Sequence, residues 1–173
     1  MTLGLPTFLA LAIFPAGVIV AALKDATSFT IPNWISGLLA AAYFPVALAL
    51  HLPLAVMGVS AGVAVAALVA GMGMFAMGWC GGGDAKLFTA CALWLGLPGL
   101  LPFLAFTGLT GGVLAAGLIA ARNGIIGAYA SSGPPWLGRL LTVDEDLPYG
   151  LAIAVGALAA FPSSVLVAAA ARI

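Results

Sequence analysis

The sequence predicts an all-α, polytopic membrane helix bundle with about six transmembrane helices, and three observations carry that expectation. The 173 residues are 64% hydrophobic and only 6% charged, where a soluble domain has about a quarter charged residues. The mean hydropathy is +1.25. The apolar residues fall into runs of roughly 20, the length a helix needs to cross a ~30 Å hydrocarbon core. Five basic and five acidic residues cannot clothe a globule in water, and so few scattered cations speak against nucleic-acid binding. Residues 1–173 read as a single membrane-embedded domain whose surroundings are the lipid bilayer.

The elements follow in order. Residues 1–23 are apolar with no Lys or Arg before Lys24. A secretory signal carries its positive charges ahead of the apolar run, so this segment reads as a retained first span. It ends at Lys24-Asp25. A second span runs from about Trp34 to Leu50 after Ile31-Pro32-Asn33, since Pro near a helix start removes no backbone hydrogen bond. His51-Leu52-Pro53 turns the chain into a third, Leu54 to Met77. The loop Gly78-Trp79-Cys80-Gly81-Gly82-Gly83-Asp84 precedes a short helical piece, Ala85 to Leu97. Phe103 to Ala121 is the fifth span, a polar connection covers Arg122 to Leu147, and Pro148-Tyr149-Gly150 opens the last, to about Ala171.

If the short fourth piece crosses, Lys24, Lys86, Arg122 and Arg139 share one face, with Arg172 opposite. The positive-inside tendency prefers that arrangement, with the charged loops cytoplasmic and both termini outside. Gly58-xxx-Gly62 and Gly108-xxx-Gly112 place small residues one turn apart, read as close packing inside the chain in preference to a dimer seam. Cys80 and Cys91 form no C-x-x-C pair, and with one His the chain offers no metal site and no disulfide framework.

Before position 144 the chain has two carboxylates, Asp25 and Asp84. An Asp deep in a membrane helix costs on the order of 2.5–3.5 kcal/mol, and less at a helix end, where both of these fall. Two spans separate them, so they emerge at the same membrane face whatever the fourth piece does. Two carboxylates meeting at one site resist double ionisation and share a proton. The ionised partner can take a proton from water attacking a peptide carbonyl. The protonated one can bond the carbonyl oxygen and then help protonate the leaving amine. This chemistry needs no cofactor. Gly81 and Gly83, lacking side chains, are expected to adopt left-handed backbone angles and leave room for an extended peptide. Asp84 would then sit at the positive start of the following helix. The plain alternatives are a helix cap for Asp84 and a solvated helix end for Asp25.

These residues resemble a known family. Gly81-Gly82-Gly83-Asp84 fits the G-x-G-D signature of intramembrane aspartyl proteases, and Ala85-Lys86-Leu87 continues it as in prepilin peptidases. Asp25 followed by Ile31-Pro32-Asn33 is similar to their first aspartate motif, and Leu147-Pro148-Tyr149-Gly150-Leu151-Ala152 to their later P-Y-G element. The resemblance implies a type IV prepilin leader peptidase of the short kind that processes Flp-type pilins in tight-adherence systems. By position, Asp25 and Asp84 take the catalytic places. The expected substrates are prepilins and pseudopilins, cut at the cytoplasmic face of the bacterial inner membrane. Larger relatives add a region with paired C-x-x-C motifs and also N-methylate the new terminus. That region is missing from this sequence, so the resemblance argues against methyltransferase activity. Archaeal preflagellin peptidases are similar in the same motifs.

The remaining polar residues carry two readings each. Lys86 stabilises an ionised dyad or, as the commoner case, snorkels to phosphate headgroups. Tyr149 bonds near the site or anchors at the interface, which is commoner. Pro148 and Gly150 touch substrate or, as the favoured reading, shape the entry to the last helix. Asp144-Glu145-Asp146 attracts a basic leader or simply stays wet, and Trp136 to Leu141 lies in the interface as a short amphipathic piece. His51 reads as a turn residue. Two other functions stay open: a small proton-coupled transporter, since intramembrane acids relay protons, and a non-catalytic component of a pilus assembly system.

Overall fold

A computed structural model describes residues 4–123 and 149–172. Its elements are α1 (Leu5–Ser28), α2 (Asn33–Ala49), α3 (Leu54–Ala76), α4 (Gly82–Asn123), α5 (Tyr149–Ala160), a 3-10 turn (Phe161–Ser163) and α6 (Val165–Ala170). This is the expected helical membrane bundle. Pro15 and Pro45 lie within α1 and α2, as a bundle whose helices are held by neighbours tolerates.

The count of six separate spans is corrected. Four described segments are long and apolar enough to cross a membrane, Leu5–Ser28, Leu54–Ala76, Gly82–Ala121 and Tyr149–Ala170, with Asn33–Ala49 a shorter fifth. The expected pieces 85–97 and 103–121 belong to one element, α4, interrupted at Gly96 (φ 63°, ψ −170°). Gly96 supplies the break, in a positive-φ region open almost only to glycine that costs other residues roughly 1–3 kcal/mol; Pro98 follows in the first turn of the resumed helix, where its missing N–H would have no partner anyway. A straight helix from Asp84 to Gly111 would span about 40 Å at ~1.5 Å per residue. Instead Gly111 lies against Tyr149 and Ala152, and Tyr149 lines a cavity together with Asp84. The chain therefore folds back at Gly96. Contacts along the second limb confirm the reversal: as Gly99, Gly156 and Gly111 are followed, Gly99 faces Ala160, Thr107 faces Gly156 and Gly111 faces Ala152.

The first limb of α4 is the buried axis of the bundle. Ala85, Leu87 and Ala90 through Leu95 are all buried. Trp94 stacks on Phe14 of α1 at 5.2 Å between ring centroids and meets Tyr43 of α2 edge-on at 6.0 Å. Its indole N–H donates to the Leu39 carbonyl at 2.7 Å, which ties α4 to α2 and satisfies a buried donor. On α1 the buried residues are Leu11, Phe14, Val18, Ala21, Ala22 and Asp25. This is a three-to-four-residue repeat that carries the core face straight onto a carboxylate.

Among the described residues, the glycine pairs do not pack against other elements as expected. A side-chain carbon at Gly58, Gly62, Gly108 or Gly112 would meet nothing within 4 Å. All four face outward, because α3 and the second limb of α4 use other faces for their partners.

Candidate active site

At one end of the bundle a cavity of about 290 Å³ is lined by Asp25, Phe29, Phe75, Gly78, Trp79, Cys80, Gly81, Asp84 and Tyr149. At ~30 Å³ for a water molecule's share of liquid, it has room for several waters. The two carboxylates singled out in the sequence are thus brought to one cavity from different elements. Asp25 comes from the last turn of α1 and Asp84 from the first turn of α4.

Asp25 is 5% exposed. Its Oδ2 accepts the Gly150 N–H at 2.7 Å. The first amides of a helix have no partner in their own helix, and α5 begins at Tyr149, so the carboxylate satisfies an orphan donor at the helix's positive end. Gly150 makes this approach possible. A Cβ there would stand 2.7 Å from Asp25 Oδ2 and 2.9 Å from its carboxyl carbon.

Asp84 is half-buried, and its Oδ2 accepts the Gly81 N–H at 3.2 Å. That is the reach-back half of a capping box, from the third helical residue to the residue before the helix. The cap reading and the cavity reading of Asp84 hold together: one carboxylate both closes the helix start and faces the cavity.

The expected roles of the loop glycines change. Neither Gly81 nor Gly83 is left-handed; that conformation falls on Gly78 (φ 73°). Gly83 lies in the first turn of α4, and its bare face is occupied by the backbone and Cβ of Ile31, so it makes room for the chain's own α1–α2 link. Lys86 donates from Nζ to Asn33 Oδ1 at 2.8 Å, a contact that neither reading of this lysine foresaw. Tyr149 lines the cavity and lies against Gly111. Pro148, Arg122, Arg139, the Trp136 to Leu141 segment and Asp144-Glu145-Asp146 lie outside the residues whose side chains are described. His51 is in a turn with φ 53°, on a separate apolar cavity of about 810 Å³ that also includes Ser60, Pro98 and Arg172.

Phe29, Phe75, Trp79 and Cys80 also line the acidic cavity and were not singled out in the sequence. Their aromatic and thiol groups are indistinguishable in sequence from interface anchors and core filler. Burial, and then the charge of Asp84, raise the Cys80 thiol above its ordinary range. It is therefore protonated near neutral pH and a poor nucleophile. Among the described residues, no group of three or more His, Cys, Asp or Glu side chains could hold a metal ion.

An apolar helical bundle with paired carboxylates at one end of its core is a multi-pass membrane protein built around an acidic cavity. The chain belongs to the type IV leader peptidase family, whose family model matches residues 12–116. That stretch includes Asp25, the α1–α2 link and Asp84, and stops before the α5 start that holds Asp25. No curated protein and no solved structure matches the chain.

Proposed function

We propose that this peptidase is an aspartic endopeptidase in which Asp25 and Asp84 activate water against a peptide bond of a prepilin. The observation that carries the reading is the convergence of two otherwise isolated acids on one cavity, in a chain of a leader peptidase family. One carboxylate, ionised, accepts a proton from the attacking water. The other, protonated, donates to the carbonyl oxygen as the tetrahedral intermediate forms. Its collapse then breaks the C–N bond as the nitrogen takes the proton that the first carboxylate had gained from water, and a hydroxyl of the intermediate returns a proton to the second, which restores the dyad. The substrates are Flp-type prepilins and pseudopilins with basic leaders. Cleavage occurs at the cytoplasmic face of the bacterial inner membrane, where the positive-inside pattern of Lys24 and Lys86 directs the cavity. Methylation of the new terminus is not part of this reading.

The test is co-expression with a Flp-type prepilin and a mass measurement on the product. Wild type should remove the leader, while Asp25→Asn and Asp84→Asn should leave it in place although the bundle folds. Normal processing by either variant would remove that residue from the mechanism. Mature pilin made equally well by both variants, but not without the chain, would point to an assembly component. Uptake that collapses with the membrane potential, with no shortened pilin, would point to a transporter.

A further inference from the structure

Residues 29–32 join the helix bearing Asp25 to α2; Phe29 of this link lines the acidic cavity, and Ile31 packs on the elements that carry its two acids. Phe29 is left-handed (φ 53°), and its N–H closes the end of α1 on the Asp25 carbonyl at 2.9 Å. Ile31, 7% exposed, then lies between two glycines on different elements. A Cβ at Gly83, the residue before Asp84, would meet the Ile31 Cβ at 3.1 Å and its carbonyl oxygen at 3.3 Å. A Cβ at Gly150, whose amide holds Asp25, would meet the Ile31 Cδ1 at 2.8 Å. One side chain thus contacts both the start of the Asp84 helix and the start of the helix that holds Asp25. As a β-branched residue it has few rotamers with which to give way. Two residues further on, Asn33 accepts from Lys86 at 2.8 Å and fastens the far side of the link to the start of α4, one turn beyond Gly83.

We infer that this link is the positioning element of the acidic cavity: Ile31, wedged between Gly83 and Gly150 and backed by the Asn33–Lys86 bond, sets the separation of the Asp25 and Asp84 carboxyls. Ile31 and Asn33 are positioning residues that touch no reacting atom. The inference rests on the aspartic reading given above and deepens it. Carboxyl separation matters because the shared proton depends on it. Repulsion between the two charges falls as they move apart, and with it falls the pH interval over which the pair holds one proton. A rate that needs this singly protonated state is bell-shaped, with a width that reports the coupling.

The experiment measures kcat and KM against pH for purified full-length protein cutting a Flp-type prepilin. Ile31→Ala should lower kcat on the order of 10- to 10²-fold, as displacement of reacting groups by about an ångström does. KM should change little, and the width of the bell should depart from that of wild type. Ile31→Val, which keeps the branched Cβ, should stay near wild type in width. Asn33 is exposed and its replacement by Ala alters no charge, so Asn33→Ala should fold and change the width of the bell to a smaller extent; it carries the test if Ile31→Ala does not fold. Wild-type width in Asn33→Ala and in any folded Ile31→Ala would overturn the inference, because simple loss of folded protein lowers amplitude and leaves width alone. A wild-type protein that leaves the prepilin uncut overturns the aspartic reading and this inference with it. A wild type that cuts, beside variants of unchanged width, overturns this inference alone.

Discussion

The two ends of the bundle use the same residue for opposite purposes. At the acidic end, Gly150 and Gly83 bring polar backbone and carboxylates close together: an amide comes within 2.7 Å of Asp25, and the chain link lies on the face beside Asp84. At the other end, Gly96 turns α4 back on itself, and the space it leaves is filled by Ser60 and Val165. The cavities differ in the same way. One is small and carries both acids, while the other is larger and mostly apolar, with His51 and Arg172 among its lining. Small residues at the first end make room for charged groups that water must reach; at the second they make room for packing. The comparison teaches that a glycine's neighbours, and not its spacing in the chain, decide which property its loss will damage.

Substitutions at three glycines sharpen or break that contrast. The largest effect should come from Gly150→Ala. The added methyl would displace the Asp25 carboxylate from its amide, and a hydrogen bond to a charged group contributes roughly 1.5–3 kcal/mol. Prepilin cleavage per folded molecule should fall about 10- to 100-fold. Cleavage that drops only in proportion to the folded fraction would erase the distinction between the ends.

Next in size is Gly96→Ala, where the positive-φ extended backbone (φ 63°, ψ −170°) costs a residue with a Cβ roughly 1–3 kcal/mol. The new Cβ would also lie 3.0 Å from Ser60 Oγ and 3.1 Å from a Val165 methyl. The thermal midpoint in detergent should fall by several degrees while the cleavage rate of the remaining folded protein is kept. A changed rate with an unchanged midpoint would show that the reversal is coupled to the acids.

Gly58→Ala should do least. Nothing lies within 4 Å of its missing side chain, so a helical alanine should leave the midpoint unchanged or raise it, the gain being at most ~1 kcal/mol. A clear loss of stability there would mean that the outward face is covered in the working protein.

Much of this architecture is legible without coordinates. The composition dictates the solvent, whereas the buried face of α1 that ends in Asp25 is not readable from a run that is apolar nearly throughout. Two spans between Asp25 and Asp84 send both to one face by parity alone. The roles of individual small residues are not legible. Gly81 and Gly83 have the same neighbours in sequence that a left-handed loop would have, yet the left-handed residue is Gly78. The Gly58/Gly62 and Gly108/Gly112 pairs have the spacing of a tight seam and face nothing among the described residues. Lys86 stands two positions from Asp84, but its partner is Asn33, 53 residues away.

What the sequence by itself determined was membrane residence, helical class, and a common face for two acids, because these depend on hydrophobicity and on chain length, which are sums along the chain. What only the tertiary structure decided was the joining of 85–97 to 103–121 through a reversal at Gly96, the clasp of the α5 amide on Asp25, and the seating of Ile31 between Gly83 and Gly150. Those depend on which surfaces meet at ångström range, and residues 125 positions apart, such as Asp25 and Gly150, carry no mark in the sequence of having been brought together.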